Sequence, residues 1–371
     1  MPEMPPFRAD HVGSFLRPQA LLDARAAWKA GRLGDAEIRA EEDRHIADVV
    51  RLQESLGLRS ITDGEFRREN FHRDFLTHVI GLDFKPMMPA GEEGRSVDPN
   101  YAPFVAHVHG RLGHPPGGIE VDNYRTVAAL TSRTPKITIP SPTMTHFRSG
   151  RELISRTAYP DMAEFFADLA RVHREEIGAL AAAGCRYVQF DDTNLAYLCD
   201  PNMRAAAAER GEDPDELPAT YATLINESIS GRPADFAVCV HLCRGNAQSK
   251  WFASGGYEPV AEKMFGLTRV DGYFLEYDDD RSGDFAPLRF VPKGGPKIVL
   301  GLVTTKRGAL ESKDALKRRI DEAARYVPLE QLCLSPQCGF SSNAVGNLIT
   351  PEEQAAKVRL VVETAAEVWG P

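Results

Sequence analysis

The chain has 371 residues, 43% of them hydrophobic and 26% charged, with a formal net charge of -9. That is a globular composition, long enough to bury a substantial core. It excludes a nucleic-acid surface built on sustained basic runs, and no stretch reaches the roughly 18 consecutive apolar residues of a membrane helix.

Taken in chain order, the opening MPEMPPFRAD carries no apolar signal core, so a cytoplasmic location is expected. The strand-like Arg59–Thr62 leads into Asp63-Gly64-Glu65. Residues 85–120 are rich in Pro, Gly and His and read as a long insertion holding a β-hairpin. A helix is expected over 161–183, capped by Asp161 and stopped by Gly184. Residues 186–190 form a strand ending at Asp191 and Asp192. A helix over 215–230, a strand over 235–241, a weaker helix over 257–266 and a strand over 272–276 follow. Then come a strand over 297–303, a charged helix over 312–326, a strand over 332–335 and a closing helix over 351–369.

Such alternation argues for a parallel sheet. No glycine-rich phosphate or dinucleotide loop follows any strand, which weighs against a doubly wound nucleotide fold. The expected class is therefore α/β, a (β/α)8 TIM barrel with the 85–120 insertion. No composition shift divides the chain, so residues 1–371 are read as a single domain.

Six cysteines occur, at 185, 199, 239, 243, 333 and 338. Without a secretory signal they are expected reduced, mostly as small core hydrophobes. His241-Leu-Cys243 stands apart. It falls where a strand ends, and side chains two apart on an extended segment point the same way. Glu276 ends the next strand, and Cys338 follows the last. Two thiolates, one imidazole and one carboxylate suit zinc. On spacing alone each piece has a bland alternative: a buried histidine beside a core cysteine, a solvated acidic loop, a turn cysteine.

Glu65 and Asp191 sit after strands, where carboxylates bind ammonium groups, do acid–base work or cap helices. Asp192 reads as a cap. His107, His109 and His114 lie in the irregular insertion and read as ordinary histidines, not a second metal cluster. His11, His146 and Lys306 have surface readings as well as catalytic ones.

Together these motifs make the chain resemble the catalytic domain of cobalamin-independent methionine synthase, particularly its short single-domain members. The resemblance runs over nearly the whole chain. It rests on Val12-Gly13-Ser14, Asp63-Gly64-Glu65, Gln189-Phe-Asp191, His241-Leu-Cys243, Glu276 and Cys338-Gly339, in that order. It implies a (β/α)8 barrel with zinc held by His241, Cys243, Glu276 and Cys338. It also implies that Gly13, Ser14, Glu65 and Asp191 hold the amino-acid part of homocysteine, with methyltetrahydrofolate as methyl donor. The chain is then expected to be a methyltransferase of methionine biosynthesis, with small-molecule partners and neither a nucleic-acid nor a membrane partner. A homo-oligomer is compatible with the sequence.

Two departures from the family pattern bear on the donor. Thr304-Thr305-Lys306 replaces an Asp-x-His segment that serves proton transfer, leaving Lys306, His11 and His146 as candidate acids. Gly339-Phe-Ser-Ser-Asn343 replaces a basic stretch, leaving Arg17, Arg67 and Arg68 as candidate sources of positive charge. The alternative reading is alkylation of another thiol, such as epoxide opening by coenzyme M.

Overall fold

A computed structural model describes residues 4–86 and 104–370. Its strands are β1 Ser60–Ile61, β2 Ile80–Pro86, β3 Phe104–Gly113, β4 Thr134–Pro135 and β5 Ile137–Pro140. They continue with β6 Tyr187–Asp192, β7 Ala237–Leu242, β8 Gly272–Glu276, β9 Lys297–Val303 and β10 Leu332–Pro336. The strands β5 to β10 form one six-stranded sheet in sequence order, every pair parallel. Helices intervene, including Met162–Ala183, Leu217–Ser228, Glu258–Leu267, Lys313–Ala323 and Pro351–Trp369. Each predicted strand and helix of this half is present within a few residues of its expected ends.

The physical cause is visible in burial. The strands β6, β7 and β8 are buried along their whole length, as expected of a parallel sheet covered on both faces. The helix Met162–Ala183 turns Phe165, Leu169, Val172, Ile177 and Leu180 into the core. Asp161 accepts from the Ala163 N–H at its start, an N-cap that satisfies one of the orphan donors of the first turn.

The sheet extends at both edges. Ala9 bridges Leu334 of β10 in parallel, and β1 pairs in parallel with β4, which runs on into β5. Among the described residues no strand ladder joins segment 8–10 to β1. Side chains span that gap: the Ser60 hydroxyl donates to Asp10 at 2.7 Å, and the Ser60 carbonyl meets His11 Nε2 at 3.1 Å. The expected barrel is thus met as a parallel α/β sheet with these two short edge segments.

The hairpin expected over 85–120 starts earlier than expected: β2 begins at Ile80 and pairs antiparallel with β3; residues 87–103 between them lie outside the described residues. Helices at Gln19–Lys29, Asp35–Ser55 and Val121–Leu130 were not foreseen. No described helix is long and apolar enough to cross a membrane.

Candidate functional site

Parallel strands in register carry their C-terminal ends to one edge of the sheet. His241 of β7 lies opposite Asp191 of β6 and Phe274 of β8. Glu276 is the last residue of β8, opposite Gly301. Cys243 and Cys338 lie just past β7 and β10. One ligand-type atom from each of His241, Cys243, Glu276 and Cys338 lies within 4.8 Å of the others, and all four residues are buried.

The immediate surroundings fit a metal ion. Neither ring nitrogen of buried His241 has a hydrogen-bond partner, an unusual cost for a polar group unless a ligand or ion occupies its lone pair. The Cys243 and Cys338 sulfurs are 3.5 Å apart. The hydrogen bond with Cys243, together with the neighbouring imidazole, holds Cys338 well below the usual thiol range despite burial. Cys243 is pushed well above that range, first by its bond to Cys338 and then by burial. Glu276 Oε1 accepts from the Arg244 backbone N–H at 3.0 Å, and Oε2 from the Arg281 guanidinium at 2.7 Å. This second layer orients the carboxylate, as outer partners of metal ligands do.

A cleft opens over His241, Cys243 and Cys338. Ser14, Glu65 and Asp191 line it beside them, and Phe71, Tyr197 and Phe252 supply aromatic surface. Glu65 and Asp191 are both buried. Burial raises the Glu65 carboxyl even though Arg68 lies 2.8 Å away. Burial and the Glu65 charge push Asp191 up to about 7. Two buried acids, one of which raises the other, favour a bound cation.

The backbone at this acid is specialised. Glu65 has φ 62°, a left-handed conformation that costs a non-glycine residue free energy. Gly13 has φ 137°, and a Cβ there would lie 2.6 Å from Glu65 Oε1. Only glycine lets the Glu65 carboxylate stand where it does. A Cβ on Gly339 would lie 2.0 Å from the Ser14 hydroxyl, so the residue after Cys338 packs its bare backbone against Ser14.

The other candidates fall elsewhere. His11 is buried and bonded to the Ser60 carbonyl; burial and Lys136 push it down to about 4. His146 pairs with Tyr221 and Glu212, and burial and Arg210 push it down to about 4. Neither lines the cleft. Lys306 does not line it either, but its buried Nζ has no hydrogen-bond partner and its charge acts on both Cys243 and Cys338. Asp192 accepts from the Leu195 N–H, the capping role expected of it. His107 pairs with Asp83, and His114 with Glu176.

Arg17, Arg67 and Arg68 are not positioned as substrate anion binders, because each is already engaged. Arg67 binds Asp43, Asn123 and Thr126. Arg68 binds Glu65 and both the carbonyl and hydroxyl of Thr138. Arg17 binds only backbone carbonyls and one serine. Sequence reasoning missed Arg244 and Arg281. Arg281 was hidden behind the acidic Asp278-Asp-Asp280 run. Arg244 adjoins Cys243, and its guanidinium is fully buried over the Tyr257 ring at 4.4 Å. Nothing in its spacing distinguished it from a surface arginine.

The sequence matches the family model described as the cobalamin-independent synthase catalytic domain over residues 7–367. The uncharacterized Bacillus subtilis protein YxjH is 44% identical, over 98% of this chain and 95% of its own. A 5-methyltetrahydropteroyltriglutamate–homocysteine methyltransferase of Trichodesmium erythraeum is 22% identical over 92% of this chain, which spans 42% of that protein. A Listeria monocytogenes crystal structure provisionally named a vitamin-B12-independent methionine synthase is 39% identical, with TM-score 0.79 and complete coverage of both chains. A B12-independent methionine synthase from Shewanella sp. W3-18-1, solved with selenomethionine, has TM-score 0.75 over 97% of both chains. At 18% identity that likeness speaks to the fold alone.

Proposed function

The chain belongs to the cobalamin-independent synthase catalytic-domain family, and from that premise we propose that it is a zinc-dependent thiol S-methyltransferase. The acceptor is homocysteine, the donor is of the methylfolate type, and the product is methionine. The observation that carries this reading is a metal-type cluster and a buried carboxylate pair in the wall of one cleft.

His241, Cys243, Glu276 and Cys338 would hold the zinc. When bound, it lowers the pKa of a thiol and so supplies a thiolate at neutral pH. The chain's own residues do the rest. Glu65 and Asp191 receive the substrate ammonium and fix the amino-acid end. Ser14 stands beside them. The aromatic side chains Phe71, Tyr197 and Phe252 exclude water and shape the space for the electrophile. Holding both ends of a small thiol turns a bimolecular encounter into an oriented one.

A methylfolate donor leaves as an amine and needs a proton at N5. Of the three candidate acids, Lys306 is the one whose charge reaches the thiol pair. None of the three lines the cleft, but His11 is bonded to the Ser60 carbonyl and His146 to Tyr221 and Glu212, while Lys306 Nζ has no partner, so we assign the proton to Lys306 Nζ. The closed eight-stranded barrel belongs to this reading too, supported by the parallel bridge between Ala9 and Leu334 at one edge of the sheet and the β1–β4 pair at the other. So do a single domain over 1–371 and a cytoplasmic location.

Epoxide opening by another thiol is the second reading, favoured by Thr304-Thr305-Lys306 standing where the family carries Asp-x-His. It has no use for an ammonium-binding acid pair, which both Glu65 and Asp191 supply. Zinc-loaded protein incubated with homocysteine and methyltetrahydrofolate should form methionine. Thioether from coenzyme M and an epoxide, without methionine, would establish the second reading instead. Silence with a broad donor panel would leave a thiol-binding protein without turnover.

A further inference from the structure

We propose that Arg17 is a positioning residue that sets the separation between the ammonium end and the thiol end of the substrate, and so selects an amino-acid thiol of homocysteine length. This rests on the thiol-alkylation reading above and deepens it.

Arg17 does not line the cleft, so it does not touch substrate. It is 8% exposed. Its guanidinium divides between two loops. One terminal nitrogen donates at 2.6 Å to the carbonyls of Glu65 and Arg68, the turn that carries the acid expected to receive the ammonium. The other donates to the Ser341 hydroxyl at 2.6 Å, the Ser341 carbonyl at 3.2 Å and the Asn343 carbonyl at 3.3 Å. Those residues follow Cys338, at the thiol end. A rigid planar fork can hold two loops at a fixed spacing; a single ammonium on a flexible stem cannot.

Other contacts show that these two loops share one frame. The Phe71 N–H donates to the Ser342 carbonyl, and the Ala344 N–H to the Glu69 carbonyl. Segment 13–17 runs between them. The Ser14 hydroxyl accepts from the Ser341 N–H, the Ser14 carbonyl from the Phe340 N–H, and the Phe15 N–H donates to the Gly64 carbonyl. Arg17 is the one side chain of that segment whose hydrogen bonds reach both loops. Glu65 also holds a left-handed backbone conformation, which persists only where its surroundings enforce it. Arg17 binds the carbonyl of that residue.

The test is calorimetric binding to zinc-loaded protein, using three probes. Homocysteine carries thiol and ammonium at full length. Cysteine is one methylene shorter. The third, 4-mercaptobutanoate, keeps thiol, chain and carboxylate but lacks the ammonium. In Arg17→Lys, homocysteine affinity should fall about tenfold or more, as expected when a binding group is misplaced. Affinity for 4-mercaptobutanoate should hold, zinc content should hold, and the preference for homocysteine over cysteine should collapse. Equal losses for homocysteine and 4-mercaptobutanoate, or no loss at all, would overturn the inference. Ser341→Ala removes one acceptor and should shift the same ratio by less. If Arg17→Lys does not fold, an unchanged ratio in folded Ser341→Ala overturns it. Should the unaltered protein fail to distinguish homocysteine from 4-mercaptobutanoate, the ammonium-site reading itself falls, and that is seen before any variant is made.

Discussion

The sulfurs of Cys243 and Cys338 lie 3.5 Å apart although 95 residues separate them in the chain. They come from the ends of β7 and β10, which are not neighbours in the sheet. Both are free thiols, together with the other four cysteines. Buried thiols beside a carboxylate and an imidazole with no hydrogen bond of its own make a poor structural core and a good metal shell. Metal analysis of purified protein should find about one zinc per chain. Cys338→Ser and His241→Ala should each lose most of it. Full retention of zinc by both variants would sink the ligand assignment.

The acid pair makes a pH prediction whose sign can be worked out. Burial and Glu65 raise Asp191 to about 7. An ammonium needs the ionised carboxylate, so homocysteine affinity should fall as pH drops below that value. Stability should run the other way. The folded protein favours protonated Asp191, so this contribution is present at low pH. It is lost as pH rises from the ordinary carboxylate range of about 4 through the raised value. Asp191→Asn should therefore weaken homocysteine binding and flatten the dependence of denaturation midpoint on pH across that window. An unchanged pH profile of affinity in Asp191→Asn would show that another group titrates.

Gly13→Ala should separate the amino-acid end from the metal end. A Cβ at Gly13 would stand 2.6 Å from Glu65 Oε1 and 2.8 Å from Thr138 Cγ2, at φ 137°. The Glu65 carboxylate must move. The expected result is a KM for homocysteine raised about tenfold or more, with zinc content intact and a stability loss of roughly 1–3 kcal/mol. Thermal denaturation and steady-state kinetics measure the two effects separately. Unaltered KM would remove Glu65 from the binding site.

How far these residues could be read from sequence depends on what kind of signal each leaves. The half from 161 onward was legible because its short, mostly apolar strands alternate with helices that begin and end with capping residues such as Asp161 and Gly184. The helix Asp35–Ser55 was not, because its buried positions Ile38, Ile46, Val49 and Val50 are interleaved with charge and share its core face with Glu42 and His45. The four metal-type residues were legible as ordered motifs at strand ends. The role of Arg17 was not legible in the same way. Its actual acceptors are mostly backbone carbonyls, which every residue carries and no sequence reveals. Arg281 was overlooked for the converse reason, since three neighbouring aspartates disguised a side chain that turns inward to Glu276.

Lys306→Met tests where the proton comes from. The Lys306 Nζ is buried and has no hydrogen-bond acceptor. If it protonates the departing amine, kcat with methyltetrahydrofolate should fall by about 10²–10⁴-fold, the usual contribution of a general acid. Zinc content and homocysteine affinity should remain. Single-turnover kinetics with zinc-loaded protein makes the comparison. An unchanged rate would assign proton donation to another group and revive the epoxide reading.

Lys136 should prove a large stability determinant. It is fully buried, 3.3 Å from Asp10, and packs against the faces of Tyr187 and Phe274. Asp10 also accepts from the Phe7 and His11 N–H groups, the Ser60 hydroxyl and the Tyr187 hydroxyl. This cluster pins the segment that leads into Gly13 and Ser14 and ties it to β1 and β6. Lys136→Met removes the cation but leaves the carboxylate buried, which costs about 3–5 kcal/mol when a buried pair is broken from one side. Urea denaturation should show that loss as a lower midpoint. Adding Asp10→Asn should recover part of it, because the uncompensated charge goes with the carboxylate. If the double variant is no more stable than Lys136→Met alone, the lysine acts through packing on the two rings and not through its charge.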